Sequence, residues 1–322
     1  MSKTPCQSYD RSFLAEHSGA ANVTHPNFDR AEKHILSNPS FMKRIFLLSP
    51  CLILLTSAFW FEALLAPEAE PWPRWEKHDP LSTETIDHAA WDAILKSYIR
   101  PAPDGVNRFA YSRISASDIN KLHNYIGRIA ALPISTFNRW EQFAYWINLY
   151  NALTIQLVVT HYPIGSIRQI NLSNGAFGDG PWELKLLKVE GEELSLNDIE
   201  HRILRPVWKD PRLHYAVNCA SLGCPNLRRD AFVGETVNRV LESAARDFVN
   251  NSRAVLIDDG ELIVSSIYVW YWPDFGGSNK SILEHLRRYA GPTLRSQLDQ
   301  LNTIADHRFN WDLNSTDLDP QR

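Results

Sequence analysis

The densest group of reactive side chains in this sequence lies between Arg212 and Leu227, where His214, Asn218, Cys219, Ser221, Cys224 and Asn226 share one short stretch. A thiolate next to an imidazole, with a carboxylate orienting the imidazole, is the set that acyl transfer requires. Cys219 is the candidate nucleophile, His214 the candidate base and Asp274 its candidate orienter, with Asn218 or main-chain N–H groups near Gly223 as the oxyanion site. The run of apolar and β-branched residues predicts a strand over residues 213–219. Along a strand, His214 and Cys219 stand about 16 Å apart on opposite faces. Any partner must therefore come from another element, and the candidates are Glu200 and His201, Asp274, and the pair Asn148 and Asn151.

The same cysteines allow two other chemistries. Cys219 and Cys224 can close a small structural disulfide, the ordinary state of such a pair in an oxidising compartment. His201, His214, Cys219 and Cys224 are also the donor types of a zinc site, but their spacing suits a tetrahedral centre poorly. No metal or cofactor is expected. Each polar residue also has a plain structural use. His214 can be a satisfied core histidine, Asn148 and Asn151 can bond main chain, and Asp274 before Phe275-Gly276-Gly277 can form a turn.

The elements that must position these groups begin with helices. Ile86, Ala90, Ile94 and Tyr98 recur at helical spacing, and Ser115 to Asp118 starts a second helix with Ile119, Leu122, Ile126 and Ile129 on one face. Asn138 opens a third helix, to about Thr160, which is apolar nearly all round and so must be buried on most sides. Asn148, Asn151 and Gln156 within it need partners that lipid does not supply, so it is read as a core helix and not a membrane span. Asn148 and Asn151 share one of its faces. Beyond it the texture turns to short strands and helices. Strand or hairpin segments are expected at 183–189 and at 253–264, the latter around Asp259-Gly260, and helices at 196–204, 235–250 and 281–290. An exposed loop is expected over 174–181. Helices first, then strands and helices without regular alternation, predict an α+β fold with a buried central helix packed on a mixed, mostly antiparallel sheet.

Trp146-Ile147-Asn148-Leu149-Tyr150-Asn151-Ala152, the stretch from Leu194 to His201, the segment from His214 to Pro225, and Asp274-Phe275-Gly276 together resemble the domain of unknown function 547 family, in order over about residues 137–289. That resemblance implies a domain without an agreed reaction. A more distant likeness to transglutaminase-like and papain-like cysteine enzymes would make the third helix the one that carries the nucleophile, His214 the strand histidine and Asp274 its partner. Asn148 sits where that likeness needs a thiol.

Composition and targeting bound the function. The 322 residues carry 33 Lys and Arg against 37 Asp and Glu, a formal net charge of −4, so no basic excess is present to hold nucleic acid. Glycine-rich phosphate loops, GxSxG and HExxH are absent from the sequence. Met42-Lys43-Arg44 precedes residues 45–61, which hold no charge. This is the pattern of a signal peptide or a single N-terminal anchor. Translation is expected to start at Met42, with residues 1–41 disordered or untranslated, 42–66 the leader or anchor, 67–80 a stiff linker and 81–322 a single globular domain. The domain would then face the periplasm or extracytoplasmic space from the inner membrane, or be secreted if the leader is cleaved. Two functions follow. One is an exported Cys-His hydrolase or acyltransferase acting on amide bonds of a peptide or cell-envelope substrate. The other is a non-catalytic envelope module, joined by Cys219–Cys224, that binds a partner or glycan through a Trp-rich surface.

Overall fold

The computed structural model describes residues 68–170 and 180–317. The leader, the Met42 start and most of the 174–181 loop lie outside the described residues. Among the described residues, no helix is long and apolar enough to cross a membrane.

Helix α1 (Ala89–Tyr98) is followed by the hairpin β1 (Ile99–Pro101) and β2 (Asn107–Phe109). Helix α2 (Ala116–Ala130) starts at Ser115, whose hydroxyl accepts from the Asp118 N–H at 3.1 Å. Helix α3 (Arg139–His161) starts at Asn138, whose side chain accepts from the N–H groups of Trp140 and Glu141. Nearly every α3 residue from Glu141 to Val158 is buried, as its unbroken apolar girth requires. Its neighbours are chiefly helical: α2, the π-helical segment Asp198–Leu204, and α5 (Val237–Val249).

The α+β class is as expected, but the strands form separate small sheets. β3 (Leu187–Val189) and β4 (Glu192–Leu194) make one hairpin. β5 (Val255–Asp258) and β6 (Glu261–Ser265) make another, turning at Asp259 and Gly260 with φ of 47° and 83°. Two consecutive positive φ values are what a two-residue hairpin turn demands, and Asp-Gly supplies them at low strain. β7 (Asp306–Arg308) joins β6 in parallel. The short helix α4 (Arg205–Trp208) continues the π-helical segment. Helices α6 (Ile267–Trp270), α7 (Asn279–Tyr289) and α8 (Pro292–Leu298) pack around the three-stranded sheet.

Two apolar clusters result. One surrounds α3 with Trp75, Trp91, Phe143 and Trp146, and the other joins α5, α7 and the β5–β6–β7 sheet. The expected strand over 213–219 is not formed. Asp210 accepts from the Arg212 N–H at 2.9 Å, Pro211 fixes the next φ, and the chain winds a 3-10 turn over Pro211–Tyr215. Cap and proline together overrode the strand-like composition. The turn bridges the two cores, with Leu213 in the first cluster and Tyr215 in the second.

Candidate functional site

The π-helical segment begins with a reciprocal cap: the Ser195 N–H donates to Asp198 Oδ2 at 2.8 Å, and the Asp198 N–H donates to Ser195 Oγ at 3.1 Å. Lys185 and Arg202 pair with the same carboxylate. The segment and the first residue of α4 bring Glu200, His201 and Arg205 into the interior, where all three are buried.

The 3-10 turn delivers His214 to that side. His214 Nε2 lies 2.7 Å from Asp274 Oδ2, and Nδ1 lies 3.9 Å from Glu200 Oε1 with no hydrogen bond of its own among the described residues. Asp274 comes from the 3-10 turn Trp272–Phe275, which ends at Gly276 with a φ of 91°. A side chain there would be strained and would also meet Ser281 at 2.7 Å. Arg205 donates to Asp274 from Nε at 2.6 Å and from a terminal nitrogen at 3.2 Å, a forked pair. Its other terminal nitrogen lies 3.2 Å from His201 Nδ1. The Tyr271 ring stacks on the His214 imidazole at 4.0 Å and lies under the Arg205 guanidinium at 4.9 Å. Tyr150 and Tyr271 interact with the Glu200 carboxylate.

Burial alone would raise both carboxyls. For Glu200 it is outweighed by electrostatic interaction with its neighbours His201, His214 and Arg205 and by Tyr150, so its pKa falls below the ordinary value. For Asp274, hydrogen bonds from His214 and Arg205 overcome burial and hold the carboxyl far below the carboxylate range. Burial pushes His201 down to about 4. The imidazole of His214 is thus set between two carboxylates. One nitrogen is used, the other faces Glu200, and one ring face is covered by Tyr271. The arrangement fixes a charge network at the join of the two cores.

The structure brings His214 and Asp274 together, with Glu200 and His201 beside them. It does not bring Cys219 to them as a thiol, because Cys219 and Cys224 are joined in a disulfide. In this geometry the Cys219 sulfur is bonded to Cys224, the alternative pairing expected for the two cysteines, and His214 Nε2 is directed to Asp274. The disulfide likewise leaves no thiolate for a zinc set with His201 and His214. Asn148 donates to the Phe232 carbonyl at 2.7 Å and accepts from the Phe232 N–H at 3.0 Å. Asn151 donates to the Ala216 carbonyl at 2.9 Å and accepts from the Asn218 N–H at 2.8 Å. Asn218 donates to the Pro225 carbonyl at 2.7 Å and accepts from the Ala220 N–H at 2.9 Å. These amides fasten the 216–232 segment to α3 and to itself. Of the described tryptophans, Trp140 is exposed, Trp75, Trp91 and Trp146 are buried, and the other six are half-buried.

Sequence reasoning missed Arg205, the cation of the cluster. Its signal was its place one helical turn after His201, on the same side as Glu200.

Fold and site together define an α+β domain built on a buried polar-studded helix, with an interior His–carboxylate–Arg network and a disulfide-clipped loop. The family model described as "Protein of unknown function, DUF547" matches residues 134–249, in agreement with the resemblance carried by the motifs around Asn148, His201 and Cys219. The match takes in α3, the π-helical segment and the cystine loop, and it ends before Asp274, short of the 137–289 expected. No curated protein and no solved structure matches the chain.

Proposed function

We propose that this chain is an exported, non-catalytic binding module of the cell envelope, in which the Cys219–Cys224 disulfide is structural. The disulfide carries the reading. It suits an oxidising compartment, and it leaves the acyl-transfer set without its nucleophile. The basic-then-apolar pattern at Met42-Lys43-Arg44 and residues 45–61 supports export.

The test is alkylation of the thiols in protein recovered from cells, with and without reductant, read by mass spectrometry alongside cell fractionation. Full protection of both cysteines until reductant is added, in the envelope fraction, is the expected result. A free Cys219 that alkylates faster than an ordinary thiol, and slows in a His214→Ala variant, would overturn it in favour of the Cys-His enzyme.

A further inference from the structure

We infer that the pocket between the β1–β2 hairpin, the cystine loop and the end of β7 is a binding site for a small amphiphilic anion, one carrying a phosphate or carboxylate head on an apolar body. The pocket encloses about 430 Å³, enough for a small molecule. Three guanidinium groups line it: Arg108, Arg253 and Arg308. The acidic group on its wall is Asp104, which pairs with Arg108 at 2.7 Å. The lining therefore keeps an excess of two positive charges.

Those cations are held rather than floppy. Arg253 donates to Asn226 Oδ1 at 2.8 Å and to the Leu222 carbonyl at 3.4 Å, and its Nε is buried with no acceptor among the described residues. Burial, with Arg108 nearby, pushes Arg253 down to about 10, so it remains charged at neutral pH. Arg308 donates to the Ser252 carbonyl at 3.0 Å from a β7 position. Each guanidinium carries more N–H donors than the acceptors it meets, and planar forks of this kind match phosphate and carboxylate oxygens. Val106, Leu222 and Phe309 supply the apolar side.

The cystine loop builds one wall. The Leu222 N–H donates to the Asp312 carbonyl and the Gly223 N–H to the Asn310 carbonyl, both at 2.8 Å. A Cβ on Gly223 would stand 2.8 Å from the Asn310 nitrogen and 2.9 Å from Phe309, so glycine is what lets the loop close on that segment. The site goes beyond the envelope-module reading. It stands whether or not the chain is exported, and losing it would leave the disulfide and its compartment untouched.

Calorimetric titration of the full chain with inorganic phosphate, hexyl phosphate and hexanoate, with hexanol as the uncharged control, tests it. Saturable binding of hexyl phosphate or hexanoate, weakened at least tenfold by Arg253→Gln and also by Arg308→Gln, and weakened again by added salt, is expected. Arg308 is exposed and its loss spares the core, so that variant reports on the site even if Arg253→Gln misfolds. No saturable binding of any of the anions would overturn the inference. So would binding unchanged in the Arg308→Gln protein, or equal binding of hexanol.

Discussion

His214 Nε2 and Asp274 Oδ2 lie 2.7 Å apart although sixty positions separate them in the chain, and the same oxygen accepts from Arg205 Nε at 2.6 Å. One carboxylate oxygen thus joins the start of α4, a 3-10 turn from the centre of the chain and a second 3-10 turn near its end. The Arg205 side chain is only 2% exposed, so its charge depends on this partner.

Asp274→Ala should therefore destabilise the domain by about 3–5 kcal/mol, the cost of leaving a buried cation without its carboxylate. Asp274→Leu combined with Arg205→Met should cost less than Asp274→Ala alone, because both charges leave together. Urea denaturation of the two proteins checks this. A single variant within about 0.5 kcal/mol of wild type would show that water, not Asp274, solvates Arg205.

Acid should weaken the fold in two stages. Burial holds His88, His201 and His285 at about 4 against an ordinary 6.5, so the unfolded chain binds more protons than the native one between those values. Stability must then fall as pH drops from 6.5 to 4, by up to about 3 kcal/mol for one fully buried imidazole. Asp274 and Glu200 are depressed, so their contribution is present above the ordinary carboxylate range and is lost below it. Urea midpoints measured from pH 7 to pH 3 should decline throughout. His285→Gln should flatten the upper stage by about one proton, and a profile flat between pH 6.5 and 4.5 would contradict the burial of these rings.

What the sequence made legible was local. Helical periodicity with Ser115 and Asn138 as caps placed α2 and α3, and Asp259-Gly260 placed the β5–β6 turn. Asn148 and Asn151 were legible as a shared face needing partners, but not which main chain they would fasten. The 211–215 turn is hidden by the strand-like composition of His214-Tyr215-Ala216-Val217, and its sequence signal is the Asp210-Pro211 start before it. Arg205 escaped because its partner lies 69 positions away, and no local pattern encodes a contact at that separation.

Asn151 bridges the Ala216 carbonyl and the Asn218 N–H from the middle of α3, so its loss strands two buried main-chain groups at once. Asn151→Ala should cost about 1–3 kcal/mol for each group left unpaired. Asn151→Asp keeps the acceptor and should leave the Asn218 amide slow to exchange, whereas Asn151→Ala should make it fast. Amide hydrogen exchange followed by mass spectrometry on peptides spanning Asn218 distinguishes the two. Equal exchange in both variants would mean that the amide is protected by something other than the side chain.

Reducing the Cys219–Cys224 bond opens a loop whose ends are five positions apart, and chain entropy for so short a loop gives only about 2 kcal/mol. The loop is also pinned from outside, by Leu222 and Gly223 to residues 310–312 and by Ser221 bridging to Leu313. A Cys219→Ser, Cys224→Ser protein should consequently stay folded with a modestly lower denaturation midpoint. Gly223→Val should be the costlier change although it leaves the disulfide intact, because its side chain would press on Asn310 main chain that cannot yield without breaking the pinning bonds. Comparing the denaturation midpoints of the two proteins decides the order. A Gly223→Val protein more stable than the double serine variant would show that the cystine, and not the close backbone approach, holds the wall of the pocket.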